Sequence, residues 1–430
     1  MSKLSANIQR VLWIACPVLL FAVLLGHMEA IVNSGLALLG IGMLAAACSS
    51  DRPSLLRWPL LLPILLWAAW SLGATVGWSA FPKVSERQWF DEVVYPLLAF
   101  WGFWLFGSRV TRPARVVLIS CWFACVLITL MSAIYWGGLQ PPTPETFPLR
   151  FYARVGHTST LAMFSLPLFT AFMSNPRWRA VGMIGVAMCV FIGLATLNRF
   201  FWPAIAITAL IAVAPLCRRH VRLAVVVAVA LCVAVLGSLE LSARLRLGDH
   251  LPAVARDVSI DGHEVDVPKT FSALGDTLSS DTRPKLWAFY IAQGMHHPWT
   301  GIGFGKPLPG LVYGPQMPPE LLSLEPQART HAHNLFINTW LQAGVVGVAL
   351  QAALLLCLIA RFWRLRRVEP WVAAAGIALV VGMIAKNSTD DFMWRTTMLA
   401  FWMFAGFLLG VGERMAMLVA PGRRASRDSA

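Results

Sequence analysis

His331-Ala332-His333-Asn334 closes the one long polar stretch of the chain, Leu236 to His333, and an apolar run begins directly after it at Leu335. An imidazole at such an edge suits general-base work, because its pKa lies near working pH. Two histidines at i and i+2 do not share a helix face, and no carboxylate cluster beside them completes a metal site. His333 is thus either a general base or a capping, loop-bound histidine, with His331 as its neighbour.

Two arginines could serve an anion. Arg199 follows Asn198 in a very short turn, at the start of an apolar helix whose exposed N–H groups favour negative charge. Its alternative is an arginine snorkelling to lipid headgroups. Arg283 lies in the first turn of a predicted helix that Asp281 can cap, that carries Pro284 near its start, and that runs to about His296. Leu286, Trp287, Tyr290 and Ile291 form an apolar stripe on it, so it rests at a membrane interface or against a helix bundle. Cationic side chains there oppose the helix dipole. A bound phosphate reverses that cost, and guanidinium offers it forked donors. The alternative is a solvated pair with Asp281.

Other candidates are weaker. Lys83 and Arg87 lie among the aromatics of Gly77–Glu92, and Arg154 lies in Gly137–Gly156; such loops either border an anionic ligand or form an aromatic belt. Lys386 and Arg395 either contact phosphates or mark a membrane edge. Asp390 and Asp391 adjoin them and make poor nucleophiles. His297-Pro298-Trp299-Thr300-Gly301-Ile302-Gly303-Phe304-Gly305 is a Gly-rich turn without the Lys-Ser/Thr ending of a nucleotide loop.

What must position these residues is a membrane bundle. The chain is 57% hydrophobic and 13% charged, too apolar for a soluble surface of this size. Segments of span length centre near residues 19, 40, 67, 99, 126, 165, 188, 208, 229, 346, 378 and 402, which predicts twelve transmembrane helices. The expected organisation is nine spans over 1–235, a large loop over 236–333, three spans over 334–415 and a basic tail over 416–430. With the N-terminus cytoplasmic, most of the 35 Lys and Arg fall at cytoplasmic ends, among them Arg218, Arg219, Arg222, Arg361, Arg364, Arg366 and Arg367. The large loop is then external. The net charge of +14 is topological signal against anionic lipid and requires no nucleic acid. None of the eight cysteines falls in an external loop, so neither a disulfide framework nor a Cys-x-x-Cys zinc pattern is expected.

The arginine at the seventh–eighth turn, Asp281-x-Arg283-x-x-x-Trp287, His297-Pro298-x-x-Gly301-x-Gly303, and His333-Asn334 with Gly344 ten residues beyond Asn334 occur in that order. Together they resemble the O-antigen ligase and polymerase superfamily of bacterial inner-membrane glycosyltransferases. The resemblance implies an all-α, GT-C-like polytopic fold with a large periplasmic loop, and a site facing the periplasm. It implies an undecaprenyl-pyrophosphate-linked glycan as donor, lipid A–core as acceptor, and neither metal nor other cofactor. His333, Arg199 and Arg283 would then be catalytic. Arg154, Lys83, Arg87, Asn334, Lys386, Trp287 and Tyr290 would bind substrate. A polymerase or a protein O-oligosaccharyltransferase would share these motifs with another acceptor. A small-anion transporter is the rival of another class; it would need charged or broken segments at mid-membrane, which the spans hardly offer.

Overall fold

The structure is a computed structural model that describes residues 4–26, 28–49, 58–137, 155–173, 175–196, 198, 201–217, 221–247, 258–260, 263–265, 283–324, 330–389 and 391–425. The helices are α1 (Ala6–Leu25), α2 (Glu29–Cys48), α3 (Leu61–Gly77), α4 (Pro82–Trp89), α5 (Tyr95–Arg109), α6 (Pro113–Gly137), α7 (Val155–Phe172), α8 (Arg179–Ala195), α9 (Phe201–Ala212), α10 (Ala214–Cys217) and α11 (Val221–Leu247). After the polar stretch come α12 (Arg283–Gly294), α13 (Leu308–Tyr313), α14 (Pro319–Leu324), α15 (Leu335–Leu365), α16 (Pro370–Asn387) and α17 (Arg395–Ala425). A two-stranded antiparallel hairpin, Val258–Ile260 with His263–Val265, is the only sheet among the described residues.

A helix lies at each of the twelve segment centres, but among the described residues only six are long and apolar enough to cross a bilayer. These are α1, α2, α15, α16 and most of α6 and α17; α3, α8, α9 and part of α11 are shorter apolar helices. The chain is a helical, multi-pass membrane protein.

Its main core is built by close backbone approach. α17 packs along α5, and Gly406 and Gly410, four residues apart, make this possible: an added Cβ would lie 2.1 Å from the Phe100 carbonyl oxygen at one and 2.4 Å from that of Trp104 at the other. Lipid offers helices no hydrophobic drive to associate, so small residues that admit tight van der Waals contact set the interface. Phe100, Phe103, Phe106, Phe401, Phe404 and Phe407 fill the space around it.

Between α4 and α5 the helix carries one π turn, Phe90–Val94, whose wider winding closes with the Tyr95 N–H on the Phe90 carbonyl. Asp91 and Glu92, neighbours in that turn, serve different partners described below.

A second, smaller core lies under the polar segment. Leu286 and Tyr290 of α12 pack with Ile302, Leu308, Tyr313, Met317, Leu321 and Ala332 against Leu341 of α15. Leu286, Tyr290 and Leu308 are fully buried. Burying a side chain of that size contributes roughly 1.5–3 kcal/mol, so this segment is held as a packed layer.

α15 departs from the expected span. Hydropathy is continuous from Leu335 onward, but Gly344 has φ 68° and ψ −174°, which breaks the helix into Leu335–Ala343 and Val345–Leu365. The apolar run therefore does not cross as one rod: its first nine residues form a separate half-helix that carries the histidine end.

Candidate active site

The break at Gly344 frees backbone groups that would otherwise lack partners, and the Gly-rich turn takes them up. Ile302 and Gly303 donate to the carbonyls of Leu341 and Gln342 at 2.9 and 3.2 Å, and Val345 donates to the Pro298 carbonyl at 2.9 Å. The indoles of Trp340 and Trp70 reach the carbonyls of Pro298 and Ala343 at 2.9 and 2.8 Å. Glycine is required on both sides. A Cβ at Gly344 would lie 2.0 Å from the Trp299 oxygen, and one at Gly301, where φ is +69°, would lie 2.4 Å from the Gln342 backbone. The spacing of the two glycine motifs is thus the spacing of one strap laid across one broken helix.

The same strap carries Lys306 inward. Its Nζ lies 2.6 Å from Asp391 Oδ1, both side chains being almost wholly buried at 3% and 1% exposure. Asp391 also accepts from Asn338 Nδ2 at 2.9 Å and from the Met393 N–H at 3.1 Å. The Lys306 N–H donates to Glu92 Oε1 at 3.1 Å. Burial alone would raise the Asp391 carboxyl. The Lys306 ammonium, the nearby His331, and hydrogen bonds from Lys306 and Asn338 hold it below its ordinary value instead. Glu92 is pushed up to about 7 by burial, although the Lys306 charge and the Lys306 N–H bond pull it down. A cavity of about 50 Å³ opens among Glu92, Lys306, Asn338, Gln342 and Asp391. It is far too small for a sugar.

The histidines stand at the mouth of the half-helix. Asn334 caps it, its Oδ1 accepting from Phe336 and Ile337 N–H at 3.0 and 3.1 Å. The Asn334 Nδ2 donates to the Ser388 carbonyl at 2.6 Å and so ties the cap to the end of α16. His333 precedes the cap in a left-handed conformation, φ 50°. Such backbone is uncommon for a non-glycine residue and persists only where the surroundings fix it. Its ring centroid lies 4.2 Å from that of His331, whose ring in turn meets Trp394 edge-on at 5.5 Å. Both histidines are buried, at 7% and 5% exposure. Thr330 Oγ1 lies 2.7 Å from His331 Nδ1.

Of the sequence candidates, the structure draws several to this mouth. Arg283 begins α12, and Trp287 one turn on donates its indole N–H to the carbonyl of Ala332, between the histidines, at 2.9 Å. Lys386 is fully buried rather than exposed at a membrane edge, its ammonium 4.7 Å from the centre of the Phe392 ring. Tyr290 lies in the apolar layer, wholly buried, as a packing residue. Lys83 is exposed on α4. Arg87 is exposed too and lines, with Asp91 and Arg395, an open groove whose walls include neither histidine. There Arg395 pairs with Asp91 at 3.1 Å and bonds Asn33.

Arg154, Arg199 and Asp281 lie outside the described residues. Asn198, which precedes Arg199 in the sequence, is buried and donates to Ser159 of α7 at 3.1 Å.

Sequence reasoning missed Lys306, Asn338 and Glu92, and discounted Asp391. Lys306 follows the last glycine of the Gly-rich turn, which was a usable signal. A lone lysine in an external loop otherwise reads as solvated.

Residues 161–352 match the family model described as O-antigen ligase. A comparison with curated proteins gave no match. The matched segment contains the strap, the broken helix and the histidine mouth, along with Arg199 and Arg283. Over that segment, which is less than half of its length, the chain is similar to the O-antigen ligase family.

Proposed function

We propose that this protein is an O-antigen ligase. It transfers a glycan from undecaprenyl pyrophosphate to a sugar hydroxyl of lipid A–core, on the periplasmic side of a bacterial inner membrane crossed twelve times. The observation that carries the reading is the His333–Asn334 mouth: a buried imidazole held at positive φ on a capped half-helix, with the Arg283 helix tied to it through Trp287.

In this reading the acceptor oxygen attacks the anomeric carbon while His333 takes its proton. The bond from that carbon to the pyrophosphate oxygen breaks, the lipid pyrophosphate leaves, and the configuration inverts. Charge builds on the leaving group, where Arg199 and Arg283 stabilise it without a metal ion. Retention would need a carboxylate nucleophile, and Asp391 is engaged by Lys306 and Asn338. His333 then returns its proton to solvent.

The test is transfer by purified protein in the presence of chelator, with a lipid-pyrophosphate glycan as donor. Lipid A–core, a second glycan chain and a Ser/Thr peptide are offered as acceptors. Product on lipid A–core alone is expected, with His333→Ala, Arg199→Ala and Arg283→Ala folded and inactive. Product on the glycan chain or the peptide instead would reassign the acceptor, and full activity of His333→Ala would sink the base.

A further inference from the structure

At the far end of α15 from the histidines a second groove opens, of about 560 Å³, and it belongs to no part of the proposed chemistry. It lies about 24 Å of helix rise beyond the Gly344 break, counted from Val345 to Arg361, so it faces the other side of a bilayer roughly 30 Å thick. Its walls are Leu60, Leu61, Leu62, Pro63 and Leu65 from the start of α3 and Cys357 and Ala360 from α15. Arg361 and Arg364 stand at its rim, and among the described residues no carboxylate lines it.

Three observations say what would fill it. Leu62 and Leu65 are exposed, at 68% and 53%, and offer an apolar wall beside two guanidinium groups. Glu413 stands 4.0 Å from Arg361 and is already held by the Trp104 indole at 2.8 Å, so it neutralises the rim weakly. Trp58, which lines the groove, has a buried indole N–H with no acceptor among the described residues. Trp58 is wedged against Trp101 and Trp104, at centroid distances of 5.4 and 6.2 Å, and cannot turn easily to find one. A donor that lacks an acceptor, two cations and an aliphatic wall together match one kind of molecule.

We propose that this groove binds an anionic phospholipid, with the phosphate between Arg361 and Arg364 and an acyl chain along Leu62 and Leu65. Guanidinium groups recognise phosphate oxygens through paired donors, and basic clusters at the ends of membrane helices attract anionic headgroups. Trp363, 55% exposed beside the site and capped by Arg366 at 4.3 Å, anchors this end of the helix in the headgroup zone.

The test uses the full chain in neutral detergent and reads its thermal unfolding midpoint with added phosphatidylglycerol, phosphatidylcholine or soluble glycerol phosphate. Phosphatidylglycerol is expected to raise the midpoint by several degrees, and the other two to leave it unchanged. Arg361→Gln with Arg364→Gln should abolish the rise, and the paired lysine variant should keep most of it. An equal rise with phosphatidylcholine, or in the double glutamine variant, overturns the proposal. A rise with glycerol phosphate alone overturns the lipid as the source. Should the glutamine variant fail to fold, spin-labelled lipids on the wild-type chain in vesicles decide. A motionally restricted fraction larger for phosphatidylglycerol than for phosphatidylcholine, and reduced by salt, supports the site; equal fractions refute it.

Discussion

Lys306 and Asp391, 85 residues apart in sequence, form a buried ion pair 2.6 Å long that bolts the Gly-rich strap to the segment between the last two helices. Asn338 of the broken helix completes it. Three stretches of chain thus converge on one carboxylate.

Removing one member of that pair strands the other. Lys306→Met or Asp391→Leu alone should cost about 3–5 kcal/mol, whereas the combined variant should recover most of the loss. Unfolding midpoints in detergent for the two single variants and the double measure the coupling. Additive losses would show that the pair contributes no interaction of its own.

Asn334 does two jobs that separate by substitution. Asn334→Ala removes both the cap and the tie to Ser388, with a cost of about 1–2 kcal/mol. Asn334→Asp keeps an acceptor for Phe336 and Ile337 but has no N–H for Ser388. Glycosyl transfer should therefore fall in both variants, and stability mostly in the first. Loss of stability without loss of transfer in Asn334→Ala would restrict the residue to capping.

Gly344→Ala forces a Cβ into the Trp299 carbonyl at a φ/ψ combination open almost only to glycine. The strain is about 1–3 kcal/mol, and its relief would lift the strap. Proteolysis of the 283–324 segment should quicken relative to cleavage elsewhere. An unchanged cleavage pattern would mean that the strap does not depend on the break.

Glu92 gives the pH dependence a sign. Its folded pKa, about 7, lies above the ordinary carboxyl value of 4.5, so the folded state holds the proton more tightly. Stability from this group is intact below about pH 4.5 and declines as pH rises towards 7, by at most about 1.4 kcal/mol per unit. Glu92→Gln should flatten that limb and be the more stable protein at pH 8. Midpoints recorded from pH 5 to 8 check it. Asp391 runs the other way: its depressed pKa keeps the pair's contribution through this whole range, and it is lost only as pH falls below the ordinary carboxyl value.

How far the sequence foretold this depends on the range of each interaction. Helix α12 was legible because its signals are local: Pro284 at the start and an apolar stripe at helical spacing. Capping at the start of α15 is legible only as one reading of His333, and Asn334 provides it instead. The stripe, however, tells which residues are buried and not which of them meet a ligand, and Tyr290 lies wholly inside the apolar layer. Lys306 and Asp391 were opaque for the opposite reason, since each alone resembles a solvated loop charge and only the fold joins them. The break in α15 hid behind continuous hydropathy. Its compensation comes from Pro298, Ile302 and Gly303, more than thirty residues upstream. Arg199 and Arg154, central and peripheral to the proposed chemistry, lie outside the described residues.

The π turn at Phe90–Val94 fixes an angular phase. Its extra residue lets Asp91 meet Arg395 in the open groove while Glu92, the next residue, meets Lys306 in the interior. Forcing all five residues of the turn into ordinary α winding, with none deleted, would swing α4 by roughly 90–100° relative to α5. Lys83 and Arg87 would then point elsewhere, and the two carboxylates would exchange environments. The winding of the chain at this one turn is therefore as much a part of the site as the identity of any side chain in it.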